Sequence, residues 1–206
     1  IDNGCGMNEV DARLCFERHA TSKISLADDL FKIKTMGFRG EALASIASIA
    51  QVELKTKTHD NQLGTNIKIE GSHVISQEVC QTLTGTSIAV KNLFFNIPVR
   101  REFLKSNQIE MKHIYDEFHR IALANPDVKF VLIDNANIKF QLDSGNFKNR
   151  IVKIFGNSYQ KRIIPIEQQT DYVQINGFLL KPEFAKKTRG DQFFFVNKRF
   201  IRHFYF

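Results

Sequence analysis

The sequence predicts an α+β protein, an α/β sandwich with a mostly antiparallel sheet followed by a smaller α/β unit. Three observations carry this. Gln51 to Thr58 alternates, Val52 and Leu54 against Glu53 and Lys55, which is the period-two pattern of a half-buried strand; Asn66–Glu70 repeats it and Thr86–Phe94 forms a third strand. Gln108 to Asn125 sets Met111, Ile114, Tyr115, Phe118, Ile121 and Ala122 on one stripe, the 3.6-residue period of an amphipathic helix. Helical segments precede the run of strands, as in folds that segregate helices on one antiparallel sheet.

The elements follow in order. Asn8 to His19 reads as a helix, with Val10, Leu14 and Phe16 or Glu17 near one face. RHATSKISLADDL is polar and aperiodic, a loop leading to a short helix near Ala27 to Phe31. Gly37 and Gly40 precede a run rich in Ala and Ile, so a helix begins near Gly40 or Glu41. After the three strands, Ile97-Pro98 is a stop and Val99 to Lys105 is a basic loop or short helix. Asn125-Pro126 ends the long helix, because the residue before proline is pushed out of the helical region. Val128–Ile133 and Ile138–Leu142 are strands around the turn Asp134-Asn135-Ala136-Asn137. Asp143 to Asn146, polar with a glycine, marks a domain boundary, giving 1–146 and 147–206. The second part holds a helix from Phe147 to Phe155 stopped by Gly156, then strands near Ile163–Ile166, Tyr172–Leu180 and Gln192–Val196.

Composition excludes several classes. No stretch approaches the roughly 18 apolar residues of a membrane span. Cys5, Cys15 and Cys80 are odd in number and lack CxxC spacing, which argues against a disulfide framework or structural zinc and fits a reducing cytosol. A cytoplasmic protein is expected, nucleoid-associated if bacterial. His113 and His119 lie six apart on one helix, not at ligand spacing, and no metal site is expected from these residues. Neither GxxxxGK[ST] nor GxGxxG occurs. Charge is uneven: residues 147–206 hold 12 Lys+Arg against 4 Asp+Glu, and residues 1–146 hold 17 against 18. A near-neutral part joined to a basic part suggests two units, the second facing a polyanion.

Four stretches could carry chemistry. In Asp2-Asn3-Gly4-Cys5-Gly6 a strand delivers an acceptor-only carboxylate to its end, suited to an exocyclic amine such as adenine N6. Gly4 and Gly6 let the backbone turn with positive φ. A tight turn with an Asx interaction accounts for the same residues. Gly37-Phe38-Arg39-Gly40-Glu41 brackets a helix start, where free N–H groups and the helix dipole favour phosphate. Arg39 adds charge there or serves the structure. Thr21, Ser22 and Lys23 offer two hydroxyls and an ammonium to phosphate oxygens, or Thr21 or Ser22 caps a helix. Thr86 opens a strand, and its hydroxyl is placed to reach a ligand or Asp2, or is there for its β propensity.

In this order the stretches resemble one family. DNGCGM, RHATSKI, GFRGEALASI, and then Gly85-Thr86 through Leu93-Phe94, Asn96, Pro98, Arg100-Arg101 and Phe103-Leu104, are similar to the motif series of the MutL mismatch-repair proteins. Val196 to Arg199 resembles the VNGR of their second domains, with Lys198 in place of glycine. These proteins belong to the GHKL ATPase superfamily shared with gyrase-type topoisomerases and histidine kinases. The resemblance implies ATP and Mg²⁺ as cofactors. Asp2 would bind the adenine amino group directly and through water, with Thr86 helping; Gly4 and Gly6 would let base and sugar lie on the backbone. Thr21, Ser22 and Lys23 would belong to a lid, and Gly37, Phe38, Arg39, Gly40 and Glu41 would face phosphate by main-chain N–H, with Glu41 structural rather than a general base.

The glutamate that activates water and the asparagine that holds Mg²⁺ are expected upstream of Ile1, and a phosphate-binding lysine past Phe206. The resemblance therefore implies a nucleotide pocket without its own hydrolytic residue. It also implies a second domain like a ribosomal-protein fold with a βαβ crossover. Non-specific DNA contact through Arg100, Arg101, Lys105, Lys198, Arg199 and Arg202 suits that domain's charge. Partners implied are DNA, a second copy on ATP binding, a mismatch-sensor protein, and a downstream nuclease or helicase. Two alternatives are a gyrase-type ATPase, disfavoured by the lid sequence, and a basic nucleic-acid-binding module whose glycines are only turns.

Overall fold

The computed structural model describes residues 1–21, 23, 37–187 and 192–202. Ser22 and the helix expected near Ala27 to Phe31 lie outside the described residues. The chain forms two compact units, Ile1–Lys105 and Ser106–Phe206.

The first unit is built on a four-stranded antiparallel sheet of order β3-β2-β1-β4, with β1 Gln51–Lys57, β2 Gly64–Glu70, β3 His73–Cys80 and β4 Gly85–Lys91. β1 alternates strictly, burying Val52, Leu54 and Thr56. Val52 and Leu54 meet Ile67 and Ile69 of β2 and the small residues Ala12, Ala47 and Ala50, which let the helices α1 (Glu9–Leu14) and α2 (Ala42–Ala47) settle on the same face. α1 starts where Asn8 caps it, Oδ1 accepting from the N–H of Asp11 at 2.8 Å. It is shorter than the Asn8–His19 helix expected, ending at Cys15. Burial pushes the Cys15 thiol up to about 11, so it is an inert packed thiol.

β3 has no counterpart in the sequence reading. Its burial does not alternate cleanly because the register with β2 shifts between Lys68 and Ile69. β4 also ends before Phe94, because Asn92 and Phe94 take positive φ and turn the chain.

The second unit contains the 18-residue helix α4 (Asn107–Ala124), with α3 (Pro98–Glu102) preceding it in the first unit. The hairpin β5 (Phe130–Asp134) and β6 (Asn137–Leu142) follows, then α5 (Phe147–Phe155), α6 (Tyr159–Arg162), the hairpin β7 (Ile163–Gln169) and β8 (Gln174–Leu180), and the short hairpin β9 (Phe194–Val196) and β10 (Arg199–Ile201). All strand pairs among the described residues are antiparallel, so the expected βαβ crossover is not among them. The second compact unit begins at Ser106, and within it α4 packs with α5.

Rings dominate this core: Phe147, Phe155, Tyr159, Phe178, Phe193 and Phe195 surround Leu123, Ile151 and Ile163. Amid them Arg150 is only 2% exposed. Its guanidinium donates to the carbonyls of Ala122 (3.1 Å), Pro126 (2.9 Å), Val128 (2.6 Å) and Asp143 (3.1 Å) and lies over the Phe130 ring. One of these carbonyls belongs to the last turn of α4, two to the loop after it and one to the residue following β6, so one side chain ties the helix end to the segments that follow it. Replacing Arg150 with Ala is expected to lower the unfolding free energy by about 3 kcal/mol or more, since buried acceptors lose their partners. Urea melts followed by circular dichroism measure this, and a loss below about 1 kcal/mol would contradict the role given to Arg150.

His119 stands among Phe118, Phe140 and Phe155, and its Nε2 has no hydrogen-bond partner among the described residues. Burial lowers its pKa below 6.5, with Asp116 opposing. The unfolded chain therefore binds this proton more readily than the folded one, and stability rises with pH across the interval between the two values. Relative to His119→Phe, the wild-type chain is expected to lose stability as pH falls below about 6.5 and to level off under the folded-state pKa. Melts across that range check this; a wild-type-minus-variant difference independent of pH would refute it.

Candidate functional site

The first residues join the sheet at β4. The N–H of Asp2 donates to the carbonyl of Thr86 at 2.8 Å in an antiparallel bridge. Its Oδ1 accepts from the N–H of Gly4 (2.9 Å) and of Thr86 (3.2 Å). The Asx turn and the ligand-ready carboxylate are thus one arrangement: Oδ1 holds the loop while Oδ2 takes no hydrogen bond from any described residue. The crossing is tight. A Cβ on Gly85 would lie 2.2 Å from the carbonyl oxygen of Asp2, and one on Gly6 would lie 2.0 Å from that of Lys57. Gly6 has the expected positive φ, whereas Gly4 does not; a Cβ there would meet Asp2 Oδ1 at 3.1 Å.

Beneath the loop sits Thr56, fully buried. Its Oγ1 donates to the carbonyl of Gly85 (2.9 Å), accepts from the N–H of Met7 (2.9 Å) and lies 3.1 Å from Thr86 Oγ1. A hydroxyl has one proton, and that of Thr56 is committed to Gly85, so Thr86 donates in the remaining contact. The Thr86 hydroxyl is thereby fixed as an acceptor toward any group placed near Asp2 Oδ2. Sequence reasoning did not single out Thr56. The signal is a threonine at the third inward position of β1, after Val52 and Leu54.

The second cluster joins RHATSKI to GFRGEAL. The N–H of His19, at positive φ, donates to the carbonyl of Gly40 (3.2 Å), and His19 Nδ1 lies 3.3 Å from Glu41 Oε1. Gly40 also has positive φ, and a Cβ there would stand 2.1 Å from the carbonyl oxygen of Ala20. Among the described residues nothing lies within 4 Å of where a Cβ on Gly37 would stand, so the steric demand they impose falls on Gly40. Glu41 precedes α2 without capping it by its side chain, leaving the first N–H groups of α2 without a side-chain partner from its cap. Thr21 Oγ1 accepts from the N–H of Lys23 at 3.1 Å, a local turn, and the guanidinium of Arg39 lies 5.5 Å from the Phe38 ring centre.

The DNA-contact candidates divide between the units. Arg100 and Arg101 lie exposed on α3, with Lys105 just beyond it. Lys198, Arg199 and Arg202 lie on or next to the β9–β10 hairpin, and Lys198 Nζ is 3.5 Å from Asp127 Oδ1.

The solved structures similar to this chain include the Aquifex aeolicus MutL ATPase domain complexed with ADP. They superpose with a TM-score of 0.71 at 24% identity, over 99% of this chain and 70% of that one. The N-terminal domain of a DNA repair protein gives 0.77 at 23% identity, over 98% and 64%. The fold class is therefore the α+β fold that these two structures share with this chain.

A family model for the C-terminal domain of DNA mismatch repair protein matches residues 151–206. The DNA mismatch repair protein MutL of Christiangramia forsetii is 59% identical over 98% of this chain and 33% of its own length. That of Bacteroides fragilis is 52% identical over 100% of this chain and 33% of its own. The chain belongs to the MutL DNA mismatch-repair family and spans about a third of the length of these relatives.

Changing Thr56 to Val keeps the shape and removes the hydroxyl, leaving the Met7 N–H and Gly85 carbonyl unpaired. A destabilisation of about 1–3 kcal/mol is expected, with Thr56→Ser largely restoring it. Denaturation followed by circular dichroism tests this, since the chain has no Trp; a neutral Val variant would count against it.

Proposed function

We propose that this chain is the nucleotide-binding and DNA-binding region of a MutL-type repair protein. The observation that carries the reading is the pair of acceptors at the sheet end. Asp2 Oδ2 takes no bond from the described residues, and Thr86 Oγ1 has its proton turned away toward Thr56. Two fixed acceptors suit the two hydrogens of an adenine amino group, one of them through an ordered water. Gly37 to Glu41, with Thr21, Ser22 and Lys23, would hold phosphates; the joining of these segments at His19–Gly40 supports a shared role. A lid that closes with ATP and promotes dimerisation follows from the resemblance.

ATP supplies the driving free energy when bound and hydrolysed, and hydrolysis is proposed for the longer protein. No group of three or more His, Cys, Asp or Glu among the described residues is placed to hold a metal, so no step is assigned to Mg²⁺ through these side chains.

DNA contact is proposed for the basic part, with 1–146 as the ATPase domain and 147–206 as the second domain. The family match from residue 151 supports that division, and the packing of α4 with α5 counts against it. Partnership with a mismatch sensor and a nuclease or helicase, in the cytoplasm or at the nucleoid, belongs to the same reading. No helix among the described residues is long and apolar enough to cross a membrane.

Calorimetry with ATP and with GTP tests the pocket. Asp2→Ala is expected to weaken ATP binding about tenfold or more, the worth of one charged hydrogen bond. GTP is expected to bind poorly, because guanine turns an acceptor toward the carboxylate. Equal affinities for ATP and GTP, or an Asp2→Ala variant that binds ATP like the wild type, would remove the adenine reading.

A further inference from the structure

A cleft of about 340 Å³ lies along the outer side of α5 and the turn into α6, lined by Lys148, Asn149, Val152, Lys153, Asn157 and Gln160. Positions 148, 149, 152 and 153 form one stripe of α5, while Asn157 and Gln160 close the far wall. Five of the six side chains end in N–H donors, two of them cationic. None makes a side-chain hydrogen bond or ion pair with a described residue. The chain from residue 144 to 166 contains no Asp or Glu, so no local carboxylate competes for them. None of these residues lies in the stretches that resemble the family's motifs.

We infer that this cleft is a contact site for the phosphate backbone of duplex DNA. Ammonium and amide donors are the side-chain groups that meet phosphodiester oxygens. The lining has no aromatic ring on which an unpaired base could stack, which argues for duplex backbone over single strands. It has no Arg fork for bidentate grip of a carboxylate, and only Val152 to anchor an apolar side chain. Both features disfavour an acidic protein segment. Contact of this kind fixes position without reading sequence. The inference rests on the reading of the basic part as DNA-binding and adds Lys148 and Lys153 to the hairpin candidates Lys198, Arg199 and Arg202.

The test is salt-dependent fluorescence anisotropy of a labelled mixed-sequence duplex with the 206-residue chain. Each phosphate contact contributes about 0.9 to the slope of log affinity against log salt. The double variant Lys148→Ala, Lys153→Ala is expected to bind more weakly and to lose about 1.8 of that slope, whereas Lys148→Arg, Lys153→Arg keeps it. Circular dichroism melts matching the wild type would show that the fold is intact. If the wild type binds and the Ala variant keeps its affinity and slope, the cleft assignment falls while DNA binding through the hairpin stands. Absence of duplex binding by the wild type removes both. If the Ala variant loses binding to polyglutamate but not to DNA, the site belongs to an acidic protein surface and the inference is overturned.

Discussion

One buried hydroxyl, Thr56 Oγ1, holds the candidate nucleotide site together. It bonds to Met7, to Gly85 and to Thr86, segments separated by 49, 29 and 30 positions from it. Its proton can serve only one acceptor, and giving it to Gly85 dictates the polarity of Thr86. The geometry of the surface acceptors is thus decided one layer below them, in the core. The same hydroxyl joins the apolar row of Val52 and Leu54 to the polar end of the sheet, so the packed row and the candidate site share one strand. A buried hydroxyl with all three hydrogen-bonding positions filled is compatible with the core; a partly filled one would cost stability.

The second unit uses a cation where the first uses a hydroxyl. Arg150 is buried against the Phe130 ring and offers its donors to four carbonyls, with no direct carboxylate contact among the described residues. Burial lowers its pKa, and the more distant Asp127 and Asp143 pull the other way. Net charge therefore overstates what a polyanion can reach. Arg150 is inside, Lys198 is beside Asp127, and Arg162 lies over the Phe184 ring. Lys148 and Lys153 line one cleft, and neither is paired with another side chain among the described residues.

The strongly periodic elements were legible in the sequence. β1, α4 and α5 match their patterns closely, α5 from Phe147 to Phe155 with Gly156 at its end. β3 was not legible, because a register shift removes the alternation that marks a strand. β10 was not either, since three residues are too few to show a period. At the site, Asp2 and Thr86 could be named from the sequence, and the structure brings them together. Thr56 could not, because a strand threonine looks the same whether its hydroxyl is idle or organises its neighbours. His19–Glu41 is a case of the same kind: the motifs were visible, but their contact joins residues 22 positions apart.

Glycine has two separate meanings along this chain. The turns Asn135–Ala136 and Asn197–Lys198 take positive φ at both positions without any glycine. They connect their strands in two residues, as a type I′ turn does. The strain of Ala136 or Lys198 in that region, about 1–2 kcal/mol, is borne by the hairpins around them. Lys198 in place of the family's glycine is therefore a modest departure: the turn forms, and its side chain reaches Asp127. Gly85 and Gly40 are different. There the obstacle is a carbonyl oxygen about 2 Å from where a Cβ would stand, and no adjustment of φ relieves it. Conformational preference can be overridden by a hairpin, whereas a backbone crossing cannot, and both crossings occur where the site's segments meet. The glycines that define this site are thus those whose missing side chain is occupied by another strand or loop, which is a property of contact rather than of sequence.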